Sequence, residues 1–217
     1  MKNINVIFLG APGSGKGTQA SKLAEYLKVP HIDTGSMLRA AVAEGTELGK
    51  TAKSYMEVGK LVPVEIVTGI IKESLQKKEC ENGFILDGYP RSIEQAESLD
   101  TILNDIKIGI TAVLNIEVPE SILVDRMAFR KTCPKCGAKY NMKFSPPLKD
   151  SLCDNCNSEL TQRSDDSKEN AVRRIDTYKN ETEPLIKYYG DRNLLRNIDG
   201  DKDVQEIFKE IKTSLGI

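Results

Sequence analysis

The sequence predicts an α/β fold: a five-stranded parallel sheet built on a phosphate-binding loop, flanked by helices and interrupted by two insertions. Three observations lead there. Short apolar runs rich in β-branched residues alternate with segments of helical period along the 217 residues, the pattern of parallel strands joined by right-handed crossovers. The first run ends in a glycine-rich turn, "GAPGSGKGT" from Gly10 to Thr18, which opens into a helical pattern. Two stretches break the alternation. Residues 33–62 hold helical pieces with Gly45, Gly49 and Gly59 but no strand, and residues 131–163 hold four cysteines, "SPP" at 145–147 and few apolar side chains.

The elements follow in order. Ile4 to Leu9 is mostly apolar and ends at Gly10, which fits a strand buried on both faces that feeds a turn. From Gly15 to Leu27 the apolar spacing is helical. Four more strands are expected at "HID" (31–33), "GFILD" (83–87), "TAVLNI" (111–116) and "LLRNID" (194–199). Helical period returns in "EIVTGIIKESLQ" from Glu65 and "PESILVDRMAF" from Pro119. Val204, Ile207, Phe208, Ile211 and Leu215 share one face of a C-terminal helix, expected to dock on the core. The expected organisation is a core of residues 1–32, 63–129 and 168–217, a helical insertion at 33–62 and a second insertion at 130–167.

Charge and hydropathy exclude several classes. With 31 basic and 32 acidic residues the formal net charge is −1, which gives no general pull toward nucleic acid or anionic membrane. No apolar run approaches the ~18 residues of a membrane span, and "INVIFLG" is too short for the apolar core of a signal peptide. A cytoplasmic location is expected.

A glycine loop between strand and helix turns several backbone N–H groups toward one point, where the helix N-terminus adds positive partial charge. Lys16 can then reach outer phosphates. The usual P-loop has Ser or Thr directly after the lysine; here Gly17 intervenes before Thr18. Asp87 ends a predicted strand beside the loop, where a carboxylate can hold Mg²⁺ through water. Nine of the basic residues are arginines, and Arg39, Arg91, Arg126, Arg130, Arg163 and Arg174 fall at segment junctions. A guanidinium fork matches phosphate oxygens, although any one arginine alone reads as solvated charge. Asp165 and Asp166 fit either a helix N-cap or a contact with bound nucleotide. His31, the single histidine, reads as a strand-end residue packed on the core.

Cys133 and Cys136, then Cys153 and Cys156, form two C-x-x-C pairs sixteen residues apart, the spacing of a four-cysteine zinc site. Four thiolates leave no open position, so the metal would be structural, stapling a lobe that lacks its own core. A redox-inert remnant and Fe–S ligation are the alternatives. A nucleic-acid-binding ribbon would need a basic-aromatic surface that this stretch does not have. Cys80 reads as a small buried group near a helix end.

The ordered set "GAPGSGKGTQA", "TGSMLR" (34–39), "GKLVP" (59–63), "LDGYPRSIEQA" (86–96), "VDRMAFRKTC" (124–133), "QRSDD" (162–166), "RRI" (173–175) and "DGDK" (199–202) resembles the adenylate kinase family over essentially the whole chain. That family writes its loop G-x-P-G-x-G-K-G-T, so Gly17 agrees with it, and its longer-lid members often carry a cysteine knuckle. The resemblance implies transfer of the γ-phosphate of ATP to AMP with Mg²⁺, giving two ADP, by a monomer with structural Zn²⁺ and no nucleic-acid or membrane partner. It implies that Gly13, Ser14, Gly15, Lys16, Gly17, Thr18, Arg126, Arg130, Gly200 and Lys202 hold ATP. It implies AMP contacts from Thr34, Arg39, Lys60, Leu61, Val62, Gly88, Arg91, Gln95, Arg163 and Arg174. Lys16, Asp87, Arg91, Arg126, Arg130, Arg163 and Arg174 would carry catalysis, and Asp165 and Asp166 would meet the nucleotide from the lid. A UMP/CMP kinase is the nearest alternative, and a P-loop regulator that binds nucleotide without turnover is a reading from another class. Two positions depart from the family: Ser36 stands where aspartate is usual, which predicts weaker organisation of Mg²⁺, and Phe129 stands where glycine is common, which predicts a stiffer hinge.

Overall fold

The computed structural model describes residues 3–163 and 165–217. Its main sheet contains β1 (Ile4–Leu9), β2 (His31–Asp33), β3 (Gly83–Asp87), β4 (Ala112–Glu117) and β7 (Leu195–Asp199), all parallel, in the order β2-β3-β1-β4-β7. These are the five expected strands, with β4 starting at Ala112 and reaching Glu117, and β7 starting at Leu195. β1 lies between β3 and β4, so the chain leaves it toward one side first and the other side later. The crevice at its C-terminal end is where an open parallel sheet binds ligands.

Alternation along the strands builds two cores. Ile7, Leu9, Phe84, Leu86 and Val113 face one side, where α2 (Thr34–Glu44), α4 (Val64–Leu75), α5 (Ile93–Asp105) and α8 (Pro184–Gly190) cover them. Val6, Phe8, Ile85, Leu114 and Ile116 face the other, under α1 (Lys16–Leu27) and α9 (Val204–Leu215). In α9, Ile207 and Ile211 are buried and Phe208 and Leu215 pack beside them, but Val204 is exposed. It opens the first turn of the helix, so the docked face is one residue shorter than its period suggests.

Between β2 and α4 the chain forms α2 and α3 (Glu47–Met56). They are joined by Gly45 in a left-handed C-cap and by Thr46, whose hydroxyl accepts from Gly49 N. After α6 (Glu120–Ala128) comes a small lobe with an antiparallel ribbon, β5 (Arg130–Thr132) and β6 (Lys139–Asn141). Its interior is only Cys133, Cys153 and Leu160, with Ala138, Tyr140 and Cys156 against them. The chain returns through α7 (Lys168–Thr177) and a π-helical turn, Tyr178–Thr182, into α8. Phe129 caps α6 with φ −94°, a value open to any residue, so this position does not require the glycine common in the family. Cys80 is buried in the 3₁₀ turn before β3, its thiol donating to Ser74 O.

A Cβ on Gly49 would run into the backbone of Ala41 and Val42, where α3 crosses α2. Gly49→Ala is expected to lower stability by about 1–3 kcal/mol, read as a drop in the urea midpoint at unchanged m-value.

Candidate functional site

The glycine loop leaves β1 and delivers Lys16 as the first residue of α1, with Gly15 as a left-handed N-cap. Lys16 Nζ donates to Ala11 O at 3.3 Å. Burial brings its pKa down to about 8; Asp87 opposes the shift, and Arg91, Arg174 and Arg130 add to it. Asp33 and Asp87 end adjacent strands as register partners, so both carboxylates reach the sheet edge beside the loop. A Cβ on Gly17 would lie 2.9 Å from Asp87 Oδ2 and 3.0 Å from Lys139 Nζ. A side chain at position 17 would therefore press on both charged groups, and glycine leaves them room.

Two cavities open here. Thr34, Lys60, Leu61, Val62 and Gln95 line the first, with Asp165 at its edge. The second is lined by the loop from Gly13 to Thr18, Asp33, Asp87, Arg126, Arg130, Lys139, Phe144, Arg163, Gly200 and Lys202. Lys16, Arg39, Gly88, Arg91 and Arg174 line both. Every residue predicted from sequence to contact a nucleotide lines one cavity or the other, with the exception of Asp166.

Local bonds fix the shared wall. Arg91 Nε donates to Gly88 O at 2.7 Å, its backbone N–H to Gln95 Oε1 at 2.8 Å, and Thr34 Oγ1 to Gly88 O at 2.9 Å. Arg126 Nη1 donates to Gly200 O at 3.2 Å. Gly200 is wedged so tightly that a Cβ would meet Ile116 and Val118 at 2.6 Å. Lys202 lies at the rim with its ammonium 2.8 Å from Glu210 and 3.3 Å from Asp199, which occupies its charge locally.

Like charges crowd together. Burial lowers the pKa of Arg91, Arg163 and Arg174, that of Arg163 to about 10, and repulsion from neighbouring guanidiniums adds to the shift. Asp166, fully buried, takes Arg130 through both oxygens and Arg174 at 3.0 Å; Asp165 Oδ2 lies 2.9 Å from Arg174. The pair therefore holds arginines. The N-cap of α7 is Ser167, which accepts from Asn170 N, so the capping role considered for Asp165 and Asp166 belongs one residue later.

Two site residues were missed by sequence reasoning. Asp33 accepts from Ser36 N at 3.0 Å and from Ser36 Oγ at 2.6 Å, and Arg39 donates to that same hydroxyl at 2.9 Å. Its place at a strand end beside the loop, like that of Asp87, was the available signal. Lys139 reaches Asp33 at 4.0 Å from the small lobe, and no motif marks it. His31 is more than packing: Nδ1 lies 3.2 Å from Ser21 Oγ and Nε2 3.4 Å from Asp87 Oδ2.

The four knuckle sulfurs lie within 4.8 Å of one another. Cys133–Cys156 and Cys136–Cys153 are 3.4 Å apart and Cys136–Cys156 3.7 Å. A tetrahedron with metal–sulfur bonds of ~2.3 Å has edges of about 3.8 Å, so the set fits one metal ion. The sulfurs share protons among themselves: contact with the others lowers the Cys153 thiol and raises that of Cys136, and a metal ion would take the place of those shared protons.

The family model described as Adenylate kinase matches residues 8–194. The adenylate kinase of Archaeoglobus fulgidus is 52% identical over 212 residues, 98% of each chain. Those of Thermoanaerobacter sp. (strain X514) and Methanosarcina mazei are each 50% identical, over 213 and 212 residues, again 98% of each chain.

Burial raises the Asp33 pKa, but Ser36, Arg39 and Lys139 outweigh it and bring it from 3.8 to about 2. A carboxyl depressed on folding contributes stability in full above its unfolded pKa and loses it as pH falls through the folded one; here that is about 2 kcal/mol. Asp33→Asn is expected to have a lower urea midpoint than the parent at pH 6, with the gap narrowing as pH falls below 4.

Proposed function

Because the chain belongs to the adenylate kinase family, its reaction is the reversible, Mg²⁺-dependent transfer of the γ-phosphate of ATP to AMP, and we propose that the two cavities divide these substrates between them. The observation behind this division is the wall of Lys16, Arg39, Arg91 and Arg174 common to both. A phosphoryl group passing between two nucleotides crosses one place where negative charge is densest, and fixed cations there stabilise it without reorganising.

In this reading the first cavity takes AMP. Thr34 and Gln95 face the base, the Lys60–Val62 backbone walls it, and Arg39, Arg91 and the Gly88 turn meet the phosphate, with Arg163 and Arg174 reaching across. The second takes ATP: Gly13 to Thr18 and Lys16 cradle the phosphates, Arg126 and Arg130 close from the lid side, and Gly200 and Lys202 border the base. Among the described residues no donor reaches the 95%-buried Asp87 carboxylate in hydrogen-bonding geometry, and its one close partner is His31. That buried carboxylate beside Thr18 fits a hydrated divalent cation. Mg²⁺, when bound there, supplies neutralisation of the β- and γ-phosphates.

No side chain need act as a base. The phosphate of AMP, with a second pKa near ~6, is already a nucleophile at neutral pH. His31, held between Ser21 and Asp87, is placed to orient Asp87. Residues 33–62 then form the clamp on AMP and residues 130–167 the lid on ATP, together excluding the water that would consume the triphosphate. A working monomer in a reducing cytoplasm, as the family resemblance implies, completes this reading. For the cysteine site the proposed metal is zinc.

The division of cavities is tested by coupled ADP formation with AMP, UMP, CMP and GMP as acceptors. Gln95→Glu keeps the oxygen that accepts from Arg91 N and removes the amide donor. It is expected to raise KM for AMP about tenfold while KM for MgATP stays within about twofold; equal rises in both would overturn the division. For the lid, titration with a thiol-reactive mercurial is expected to release one zinc per chain and to lower the thermal midpoint.

A further inference from the structure

Lys139 belongs to the lid ribbon, where a lysine ordinarily extends its ammonium into water. Here it does the opposite. Its side chain is 27% exposed, and Nζ points inward to lie 4.0 Å from Asp33 Oδ2. It also lies 3.0 Å from the place of a Gly17 Cβ, a point that Asp87 Oδ2 approaches to 2.9 Å. Arg39 and Arg163 are near enough to repel it, and burial with that repulsion lowers its pKa. Among the described residues the two strand-end carboxylates are the groups that attract it inward, and both line the cavity at the glycine loop.

We infer that Lys139 is a further nucleotide-binding residue, a lid-borne ammonium seated at the Asp33–Asp87 carboxylates that substitutes for the divalent cation when ATP binds without one. This rests on reading the second cavity as the ATP site. Two carboxylates at a phosphate site repel the ligand unless a cation lies between them. When Mg²⁺ arrives with ATP, the divalent charge satisfies both carboxylates and phosphates, and the ammonium contributes little more. Without Mg²⁺, Lys139 stands beside these carboxylates from the lid, as Arg39, also 4.0 Å from Asp33 Oδ2, does from α2. Its contribution to affinity is therefore conditional on metal, unlike that of Lys16 or the arginines of the shared wall.

The test is isothermal titration of ATP into the full chain with its cysteine metal in place, in magnesium-free buffer and in saturating Mg²⁺. Lys139→Met is expected to weaken ATP binding about tenfold without Mg²⁺ and less than about twofold with it. Lys139→Arg should restore most of the metal-free affinity. Lys149→Met, at an exposed lid position, should change neither. An equal loss under both conditions would overturn the inference, because a role confined to lid stability does not distinguish them, and so would no loss under either. A parent chain that fails to bind ATP in both buffers would overturn the reading of the cavity itself, and the inference with it.

Discussion

Most of this structure answers to one electrostatic problem, the gathering of Lys16, Arg39, Arg91, Arg130, Arg163 and Arg174 around a single point. Desolvation and mutual repulsion act on these groups in the same direction, and both are visible in the depressed pKa values of Lys16, Arg91, Arg163 and Arg174. Such a cluster destabilises the fold that carries it unless counter-charge is built in. Asp166 does this most directly, fully buried and shared between Arg130 and Arg174. It joins the first strand of the lid to α7 of the core, so one carboxylate both neutralises two cations and ties two parts of the chain. The remaining positive charge is what the proposed function assigns to the phosphates.

The sheet explains why the cluster can form at all. Placing β1 between β3 and β4 brings the glycine loop, Asp87 and the turn at Gly88 to one edge. The insertions then contribute Arg39 from one side and Arg130 and Arg163 from the other. Thr177 and Thr182, flanking and ending the π-helical turn, donate to Gly59 O at 3.0 Å and Arg91 O at 2.7 Å. The segment following α7 thus grips the first insertion and the arginine loop together. Removal of these hydroxyls would leave the arginines attached but less well aimed, and aim is what phosphoryl transfer depends on.

Much of this was legible in sequence because the strongest signals are short-range. Strand runs, the glycine loop and the cysteine knuckles each declare themselves within ten or so residues, and the ordered motifs supplied the arginines. What was not legible depends on contacts between distant segments. Lys139 sits in a polar lobe with no pattern around it, and only the closeness of lid to sheet gives it a partner. Asp166 could be seen as acidic, but its engagement with Arg130 and Arg174 needs three elements placed at once. The exposure of Val204 at the start of α9 depends on how that helix packs, which periodicity does not encode.

Ser36 has a partner in the fold that the sequence alone does not show. As a substitution of serine for the family's usual aspartate it removes a negative charge from the loop side of the site. In the fold, its hydroxyl donates to Asp33 and accepts from Arg39, and the Asp33 carboxylate lines the same cavity as Asp87. The site contains two carboxylates at adjacent strand ends, Asp33 and Asp87, with Ser36 bonded to the first. A carboxylate on the strand end stands in register with Asp87, faces the lid, and is the group to which Lys139 is drawn. The serine and the lysine thus meet at one carboxylate: Ser36 fixes Asp33 from the first turn of α2, and Lys139 approaches it from the lid.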